Sequence, residues 1–269
     1  MEVIGPLIPL YVPGDRPDRF GKAMAGPADA IIIDLEDAVP AAAKDAARAA
    51  AIAYLCQAHA KPVYVRINHP ASAWGRTDLA ALTEVENLAG IRVPKVESAG
   101  EVREVACGIP LTCLIESARG VEAALEIATA HPDVAAIGLG EADLSGDLGA
   151  SGEEALAYAR GRIVVAARAA ALPPPLMSVF TGLADPEGLY ASSVRGRRMG
   201  FAGRTLIHPR QAGPVLRAFA PEPAEVAAAE RLLDGLKDGG TLVLPDGRFA
   251  DPAMAGAARR ILALRDALR

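Results

Sequence analysis

Short apolar runs alternate with alanine-rich amphipathic segments along most of the 269-residue chain. The apolar runs are rich in Val, Ile and Leu, as is typical of strands buried on both faces of a parallel sheet. We predict eight strands, at residues 7–12, 30–35, 63–67, 91–96, 111–115, 134–139 and 176–180 and within 199–207. The segments between them, such as 41–56 and 120–130, have helical length and composition. Alternating strands and helices favour parallel pairing through right-handed crossovers.

Eight such units predict an α/β protein with a closed (β/α)8 TIM barrel. An open doubly wound sheet is the alternative, but no GxGxxG motif follows the first predicted strand to support a dinucleotide crevice. Two more helical segments, 223–236 and 254–268, follow the eighth strand. We therefore predict a catalytic TIM-barrel domain over 1–220 and a C-terminal helical extension over 221–269. The extension is expected to pack on the barrel or on a neighbouring subunit, as part of a single structural unit.

Composition and charge narrow the class of protein. The chain is 51% hydrophobic and 23% charged, an ordinary composition for a globular protein with a large core. A net charge of -5 argues against a general nucleic-acid binder. The apolar first fourteen residues lack a basic region and are too short to cross a membrane. Three widely spaced cysteines match neither a disulfide framework nor a zinc motif, so we expect a cytoplasmic protein.

Acidic residues follow several of the predicted strands directly. The second strand ends in Asp34, Glu36 and Asp37, and Glu116 and Asp143 follow the fifth and sixth strands. A barrel builds its active site at these strand ends, and oxygen ligands without a cluster of His or Cys suit Mg²⁺. We predict Glu116 and Asp143 as direct ligands, with Glu36 and Asp37 binding metal-held waters. The alternative is that individual carboxylates cap helices or form salt bridges, with Asp34 and Glu36 capping the next helix.

Basic residues near the same strand ends are candidates for binding substrate. Arg66 lies near the end of the third predicted strand, where its guanidinium could hold a carboxylate or thioester oxygen. A structural ion pair with one of the acids is the alternative for Arg66. His208, beside Pro209, is typical of a structural histidine rather than a catalytic base. No Ser/His/Asp order, cysteine nucleophile setting or P-loop is evident, which argues against acyl-enzyme and nucleotide hydrolysis.

Eight segments, in this order, carry a resemblance to a known family. They are YVPGDRPDRFGKA, IIIDLEDAVPAAAKDAAR, VRIN, VPKVES, LIESARG, LGEADLSGDLG, MGFAGRTLIHPRQ and PDGRFADP. Together they resemble the citrate lyase beta subunit group of the HpcH/HpaI aldolase and citrate lyase family over nearly the whole chain. The resemblance implies a Mg²⁺-dependent barrel that cleaves or forms a carbon–carbon bond next to a thioester, usually of coenzyme A.

The resemblance also implies roles for individual residues. Glu116 and Asp143 match the metal ligands, with Glu116 also facing the substrate, and Arg66 matches a substrate contact. Glu36 and Asp37 match acids that assist at the metal.

The remaining correspondences concern coenzyme binding and assembly, and they involve Arg16, Lys22 and Asp251. Arg16 and Lys22 fall where the family contacts coenzyme A. Asp251 resembles an acid delivered into a neighbouring subunit's site, which implies a homotrimer or a hexamer.

The activity that this resemblance implies is cleavage of a 3-hydroxyacyl thioester to acetyl-CoA and an α-keto acid such as oxaloacetate or pyruvate. Citryl-CoA, citramalyl-CoA and malyl-CoA all stay open as substrates, because Met177 and Phe249 depart from the family pattern. One alternative is malate synthase-like condensation with thioester hydrolysis. Another is a beta subunit that works only with an acyl-carrier protein. A pyruvate aldolase without coenzyme A is disfavoured by Arg16 and Lys22, and a non-catalytic relative is a further alternative.

Overall fold

Six of the predicted strands form one parallel sheet in chain order. The computed structural model of the protein describes residues 5–236, 242–243 and 249–268. The six strands are β1 (Leu10–Pro13), β2 (Ile31–Asp34), β3 (Val63–Arg66), β4 (Gly90–Val93), β5 (Leu111–Ile115) and β6 (Val134–Leu139). Two shorter strands, β7 (Leu176–Met177) and β8 (Gly203–Arg204), pair in parallel with each other. All eight predicted strands are therefore present.

Contacts on both sides of the β7–β8 pair close these strands into a ring. Leu206, just after β8, forms a parallel bridge with Leu10, and Tyr11 N–H donates to the Leu206 carbonyl at 2.9 Å. On the other side, β6 contacts β7, and Glu141 N–H donates to Ser178 Oγ at 3.3 Å. The prediction of an α/β barrel is confirmed, and the open sheet is wrong for this chain.

The seventh strand is shorter than the sequence predicts. The apolar run 176–180 continues past β7, but side chains rather than a neighbouring strand bind its carbonyl groups. Arg204 Nη1 donates to the Ser178 carbonyl at 2.9 Å, and Gln211 Nε2 donates to the Phe180 carbonyl at 2.7 Å. With these acceptors already satisfied, the chain leaves the ladder after Met177.

Helices cover the outside of the barrel. Those of the barrel are α1 (Phe20–Ala25), α2 (Lys44–Leu55), α3 (Ala73–Leu82), α4 (Ala99–Val105), α5 (Ala118–Glu122), α6 (Ala124–Ala128), α7 (Glu141–Leu148), α8 (Ala157–Ala169), α9 (Pro186–Met199) and α10 (Ala212–Phe219). The segment predicted as one helix over 120–130 is divided at Ala123 into α5 and α6. Serine side chains cap three helices: Ser72 on α3, Ser98 on α4 and Ser117 on α5. Each accepts a hydrogen bond from an otherwise unpaired backbone N–H of the first turn.

The main core lies between the outward face of the strands and these helices. Along β2, Ile31 and Ile33 face this layer, and α2 meets it with Ala47, Ala51 and Leu55, at the four-residue spacing of one helix face. All five side chains are fully buried. Burial of each isoleucine or leucine contributes about 1.5–3 kcal/mol, so this layer stabilises the barrel while its inward face stays available for polar residues.

The C-terminal part is helical, as predicted. It contains α11 (Pro223–Gly235), two short antiparallel strands, β9 (Leu242–Val243) and β10 (Phe249–Ala250), and α12 (Ala255–Ala267). Leu232 on α11 packs with Ala258 on α12, and Leu264 on α12 joins the main core. The division at residue 220 and any packing on a neighbouring subunit stay predictions. Among the described residues, no helix has the length and apolar content needed to cross a membrane.

Candidate active site

A cavity of about 670 Å³ occupies the interior of the barrel. At the carboxyl ends of the strands, four acidic residues line its mouth: Asp34, Asp37, Glu116 and Asp143. Inward-facing residues continue the wall towards the opposite end, where Ala89 and Pro110 line it. The interior of a TIM barrel is usually filled by layers of side chains, and the active site lies at the carboxyl ends of the strands. This barrel therefore combines a mouth in the expected place with a lumen of unusual depth.

Arg66 is held at the mouth by an ion pair with two parallel hydrogen bonds. Its Nε and Nη2 each donate to a carboxylate oxygen of Asp34 at 2.7 Å. Its Nη1 lies 2.9 Å from Glu36 Oε2 and 3.6 Å from Asp37 Oδ2. Burial by itself would lower the pKa of Arg66, but hydrogen bonds and charge from Asp34 raise it, so the guanidinium is permanently cationic. The structural ion pair considered for Arg66 is therefore present, and its contact with substrate stays a prediction.

Asp34 also shapes the loop that carries the next two acids. Its carboxylate accepts the backbone N–H of Glu36 at 3.0 Å and that of Ala38 at 3.1 Å. Lys44 Nζ donates to the carbonyls of Leu35 and Glu36, each at 2.8 Å. Asp34 therefore organises the β2–α2 loop and does not cap α2, which begins at Lys44. Asp34 and Lys44 both bind the backbone of this loop, so the positions of the Glu36 and Asp37 side chains are restricted.

Lys95 joins this acidic loop to β4. Its Nζ donates to Glu36 Oε1 at 2.7 Å and lies 3.6 Å from Asp37 Oδ1. Lys95 has a φ of 53°, in the left-handed region that non-glycine residues rarely adopt and that recurs at functional sites. Burial raises the pKa of Glu36 despite the opposing charges of Arg66 and Lys95. Lys95 was not among the predicted site residues, although the VPKVES segment that contains it was a signal for this position.

Glu116 has a buried carboxylate with an unused oxygen. Its Oε2 is inaccessible and has no hydrogen-bond partner. Burial raises the pKa of Glu116 to about 7, and the negative charges of Glu36 and Asp143 act in the same direction. Gly140 gives the carboxylate its space, because a Cβ atom at that position would lie 2.5 Å from Glu116 Oε1. An unsatisfied, buried carboxylate of this kind is unfavourable by itself and is suited to bind a cation.

Asp143 is the second acid available to such a partner. It lies in the first turn of α7, is exposed, and lines the cavity mouth. Glu141, two residues earlier, is instead held by Arg160, whose Nε and Nη2 donate to its carboxylate at 2.8 and 2.7 Å. Of the two acids that follow β6, only Asp143 therefore lines the cavity.

Glu116 and Asp143 fit a hard divalent cation. Among the described residues, no group of three or more His, Cys, Asp or Glu side chains is arranged to hold a metal by itself. Mg²⁺ is commonly bound by one or two carboxylates and completes its shell with water and substrate oxygens. The unpartnered Glu116 oxygen and the nearby charge of Asp143 match that requirement.

Three predicted residues lie away from this cluster. Arg16 is exposed after β1 and forms two hydrogen bonds of 3.0 Å with Asp18. Lys22 is exposed on α1, and neither of these cations lines the cavity. Asp251 precedes a short 3-10 helix, accepts the Met254 N–H through its backbone carbonyl, and does not line the cavity of its own chain. The roles assigned to Arg16, Lys22 and Asp251 stay predictions.

His208 has the structural role that was expected of it. Its Nδ1 accepts the backbone N–H of Arg210 at 3.1 Å, which caps the 3-10 helix Pro209–Gln211. In turn, Gln211 Oε1 accepts the backbone N–H of His208 at 3.2 Å. This reciprocal arrangement is a capping box, which accounts for the histidine without a catalytic role.

Comparison with known proteins identifies the family. A model of the HpcH/HpaI aldolase/citrate lyase family matches residues 7–209. The chain belongs to this family. A (3S)-malyl-CoA thioesterase from Cereibacter sphaeroides is 36% identical over 272 residues, covering 96% of this chain and 94% of that protein. A citrate lyase subunit beta-like protein from Deinococcus radiodurans is 35% identical over 274 residues, covering 94% of this chain and 95% of that protein.

A solved structure of another family member matches almost the whole chain. It is protein CitE from Mycobacterium tuberculosis, in complex with magnesium, acetoacetate and coenzyme A. The two structures align with a TM-score of 0.84 at 32% identity, covering 99% of this chain and 100% of that chain. The resemblance based on the eight sequence segments is confirmed. Because the relatives' names refer to different reactions, membership of the HpcH/HpaI family does not by itself identify the substrate.

Proposed function

We propose that the protein is a Mg²⁺-dependent carbon–carbon lyase. Its substrate would be a 3-hydroxyacyl-CoA thioester such as citryl-CoA, citramalyl-CoA or malyl-CoA, and its products acetyl-CoA and an α-keto acid. The observation that carries this proposal is the buried, unpartnered Glu116 oxygen, coupled electrostatically to Asp143 at the cavity mouth. Support also comes from the related CitE structure, which contains magnesium, acetoacetate and coenzyme A.

Glu116 and Asp143 are the proposed metal-binding residues. Bound there, Mg²⁺ would act as a Lewis acid that lowers the pKa of the substrate hydroxyl and polarises a carboxylate or carbonyl oxygen. Glu36 and Asp37 are proposed to accept hydrogen bonds from water at the same mouth. Lys95 keeps Glu36 in place through its 2.7 Å hydrogen bond.

Cleavage is a retro-Claisen reaction. The substrate hydroxyl gives its proton to solvent water and becomes the carbonyl of the α-keto acid. The carbon–carbon bond breaks, and its electron pair moves to the carbon next to the thioester, giving an enolate. Arg66 is suited to stabilise the negative charge on the thioester oxygen, because its cation is fixed in place by Asp34. A proton transferred to the enolate carbon completes acetyl-CoA.

Asp251 is the proposed proton donor to that carbon. Because Asp251 does not line the cavity of its own chain, the proposal requires a neighbouring subunit to supply it. A homotrimer, or a hexamer made of two trimers, would provide such an arrangement. The same assembly would use the C-terminal extension, 221–269, as the element that reaches the neighbouring barrel.

Arg16 and Lys22 are proposed to contact the coenzyme. Both are exposed cations that follow β1, on the side of the barrel where the cavity opens. Exposed Lys and Arg side chains bind phosphate groups through charge-assisted hydrogen bonds. A coenzyme A molecule held there would place its acyl group towards the mouth.

Thioester hydrolysis is a second candidate reaction. The observation that favours it is 36% identity to a (3S)-malyl-CoA thioesterase over nearly the full length of both proteins. A malate synthase-like condensation followed by hydrolysis would also release free coenzyme A. A further alternative, suggested by a relative named as a citrate lyase subunit beta-like protein, is activity only with an acyl-carrier protein.

Product analysis distinguishes these reactions. The purified protein would be incubated with citryl-CoA, citramalyl-CoA or malyl-CoA, with Mg²⁺ or with a chelator. A lyase produces acetyl-CoA and an equal amount of keto acid, whereas a thioesterase produces free coenzyme A and a hydroxy acid. Glu116→Gln should abolish turnover, and Glu104→Gln, at an exposed position of α4, is the matched control. Turnover that is unaffected by the chelator and by Glu116→Gln would refute the proposed mechanism.

A further inference from the structure

A second arginine projects into the barrel beneath the acidic mouth. Arg92 lies on β4, in register with Arg66 on β3 and with Thr112 on β5. It lines the cavity and is only 8% exposed. Its guanidinium carbon lies 5.4 Å from the centre of the Tyr11 ring. The same ring lies 4.9 Å from the guanidinium carbon of Arg66, so Tyr11 contacts both cations.

Arg92 has no anionic or hydrogen-bonding partner among the described residues. Its Nε is inaccessible and unpaired. Other arginines of low exposure differ: the partly buried Arg66 binds Asp34, and the buried Arg160 binds Glu141. Even Arg204, which has no acidic partner, donates to Ser192, Ser193, Ser178 and Met177. A buried charge without such partners is costly, so this exception requires an explanation.

The lumen next to Arg92 provides space for a ligand. Small residues of β6 form the facing wall, including Ala136 and Gly138. A Cβ atom placed on Gly138 would lie 3.9 Å from Arg92 Nη2, which shows how near the guanidinium is to this wall. Thr112 adds a hydroxyl group to the cavity lining. An apolar cavity with one charged group and a few polar groups is the usual form of a small-molecule site.

We propose that Arg92 forms a carboxylate-binding subsite in the lumen, below the metal-binding mouth. Two N–H groups of the guanidinium would donate to the two oxygens of a carboxylate, the geometry in which arginine binds this group best. Arg66 and Arg92 are the cations among the described cavity-lining residues, and Asp34 and Glu36 already neutralise Arg66. Of these two cations, Arg92 is thus the one without a carboxylate partner among the described residues.

The carboxylate has two possible sources. It can belong to a free small carboxylic acid that enters through the mouth, or to the acyl group of the substrate, whose end would extend into the lumen. The subsite itself follows from the lumen geometry and is independent of the proposed reaction. Only the assignment to the acyl group rests on the proposed function.

Thermal unfolding in acetate tests the subsite directly. The full-length protein would be unfolded in a chelating buffer at constant ionic strength, with increasing acetate or with acetamide, its uncharged isostere. Acetate should raise the Tm of the wild type and acetamide should not, because a ligand that binds only the folded state stabilises it. The chelator removes bound metal, so the result does not depend on the proposed metal site.

Three variants make this test specific. Arg92→Met should raise the Tm without acetate, by removing the unpaired buried charge, and should weaken acetate binding about ten- to hundredfold, the range expected for hydrogen bonds to a charged group. Arg92→Lys keeps the charge but lacks the two parallel N–H donors, so the Tm shift in acetate should lie between those of the wild type and Arg92→Met. The same variant provides a second test if Arg92→Met does not fold. Arg103→Met, at an exposed position of α4, should behave as the wild type.

The outcomes separate the two sources and can reject the subsite. Equal stabilisation of wild type and Arg92→Met by acetate, or equal effects of acetate and acetamide, would overturn the proposal. In assays with Mg²⁺, competition between acetate and the acyl thioester, together with a higher KM in Arg92→Met, would assign the carboxylate to the substrate. Acetate binding without competition would assign it to a separate small molecule.

Discussion

Burial and neighbouring charge act in the same direction on the Glu116 carboxyl group. Its pKa of about 7 lies above the ordinary value of 4.5. Between these two pH values the folded protein binds more protons than the unfolded chain, so this group makes the free energy of unfolding fall as pH rises. A bound cation requires the ionised carboxylate, so it favours loss of the proton from Glu116 in the folded protein.

The Mg²⁺ affinity of the wild type should therefore depend on pH. Below pH 7 each metal ion must displace one proton from Glu116, so affinity should rise by about tenfold per pH unit and become level above pH 7. Isothermal titration calorimetry at a series of pH values would measure this. Glu116→Gln should bind Mg²⁺ weakly and without this slope. A wild-type affinity that is constant between pH 5 and pH 7 would contradict the displacement of a proton from Glu116 by the metal.

Gly140 allows the Glu116 carboxylate to occupy its position. In Gly140→Ala, the new methyl group would lie 2.5 Å from Glu116 Oε1, so the carboxylate must move. We expect Mg²⁺ affinity to fall at least about tenfold, as when groups that orient metal ligands are altered. Gly146→Ala is the matched control, because a Cβ atom there has nothing within 4 Å. Equal affinities in the two variants would contradict the assigned position of the carboxylate.

The strand-end acids could be predicted from the sequence, whereas their pairing could not. Parallel strands bring their carboxyl ends together, so Glu116 and Asp143 could be placed at one mouth. Whether an acid there has a partner depends on side chains from distant elements. Glu141 is held by Arg160 on α8, and Glu36 by Lys95 after β4. No local sequence pattern specifies these two contacts.

At the scale of elements, the Arg66–Asp34 pair connects β3 to β2 at the mouth. Arg66→Met would leave the Asp34 carboxylate buried with its charge uncompensated. Removal of one partner from a buried ion pair costs about 3–5 kcal/mol, so the free energy of unfolding should fall by that amount. Urea denaturation would measure the change. Arg16→Met removes only an exposed pair with Asp18, so its free energy of unfolding should equal that of the wild type. Similar losses in both variants would show that the Arg66–Asp34 pair stabilises the protein no more than an exposed pair does.

The strands were predicted more completely than the helices. Continuous apolar runs identify buried parallel strands, and all eight are present. The errors arose where tertiary contacts alter the backbone. Side chains of Arg204 and Gln211 bind carbonyls that would otherwise extend β7. Arg162 Nη2 donates to the Glu122 carbonyl at 3.1 Å, next to Ala123, where the helix predicted over 120–130 is interrupted. Such contacts come from residues that are far apart in the sequence.

At the scale of the whole molecule, a mixing experiment tests whether Asp251 acts on a neighbouring barrel. Glu116→Gln and Asp251→Asn should each be inactive alone. If subunits exchange randomly in an equal mixture, about a quarter of the sites combine an intact Glu116 with an intact Asp251 from another chain, so activity should return to about that fraction. No recovery after verified subunit exchange would place Asp251 in its own chain's site or outside any site.

The proposed lyase reaction is tested most directly by simultaneous measurement of α-keto acid and free thiol during turnover of each candidate thioester. The proposed lyase leaves the thioester bond intact, so keto acid should accumulate with Mg²⁺ while free thiol stays near its background, and both should stop changing in chelator or in Glu116→Gln. Release of free thiol without keto acid would contradict the account and identify a thioesterase.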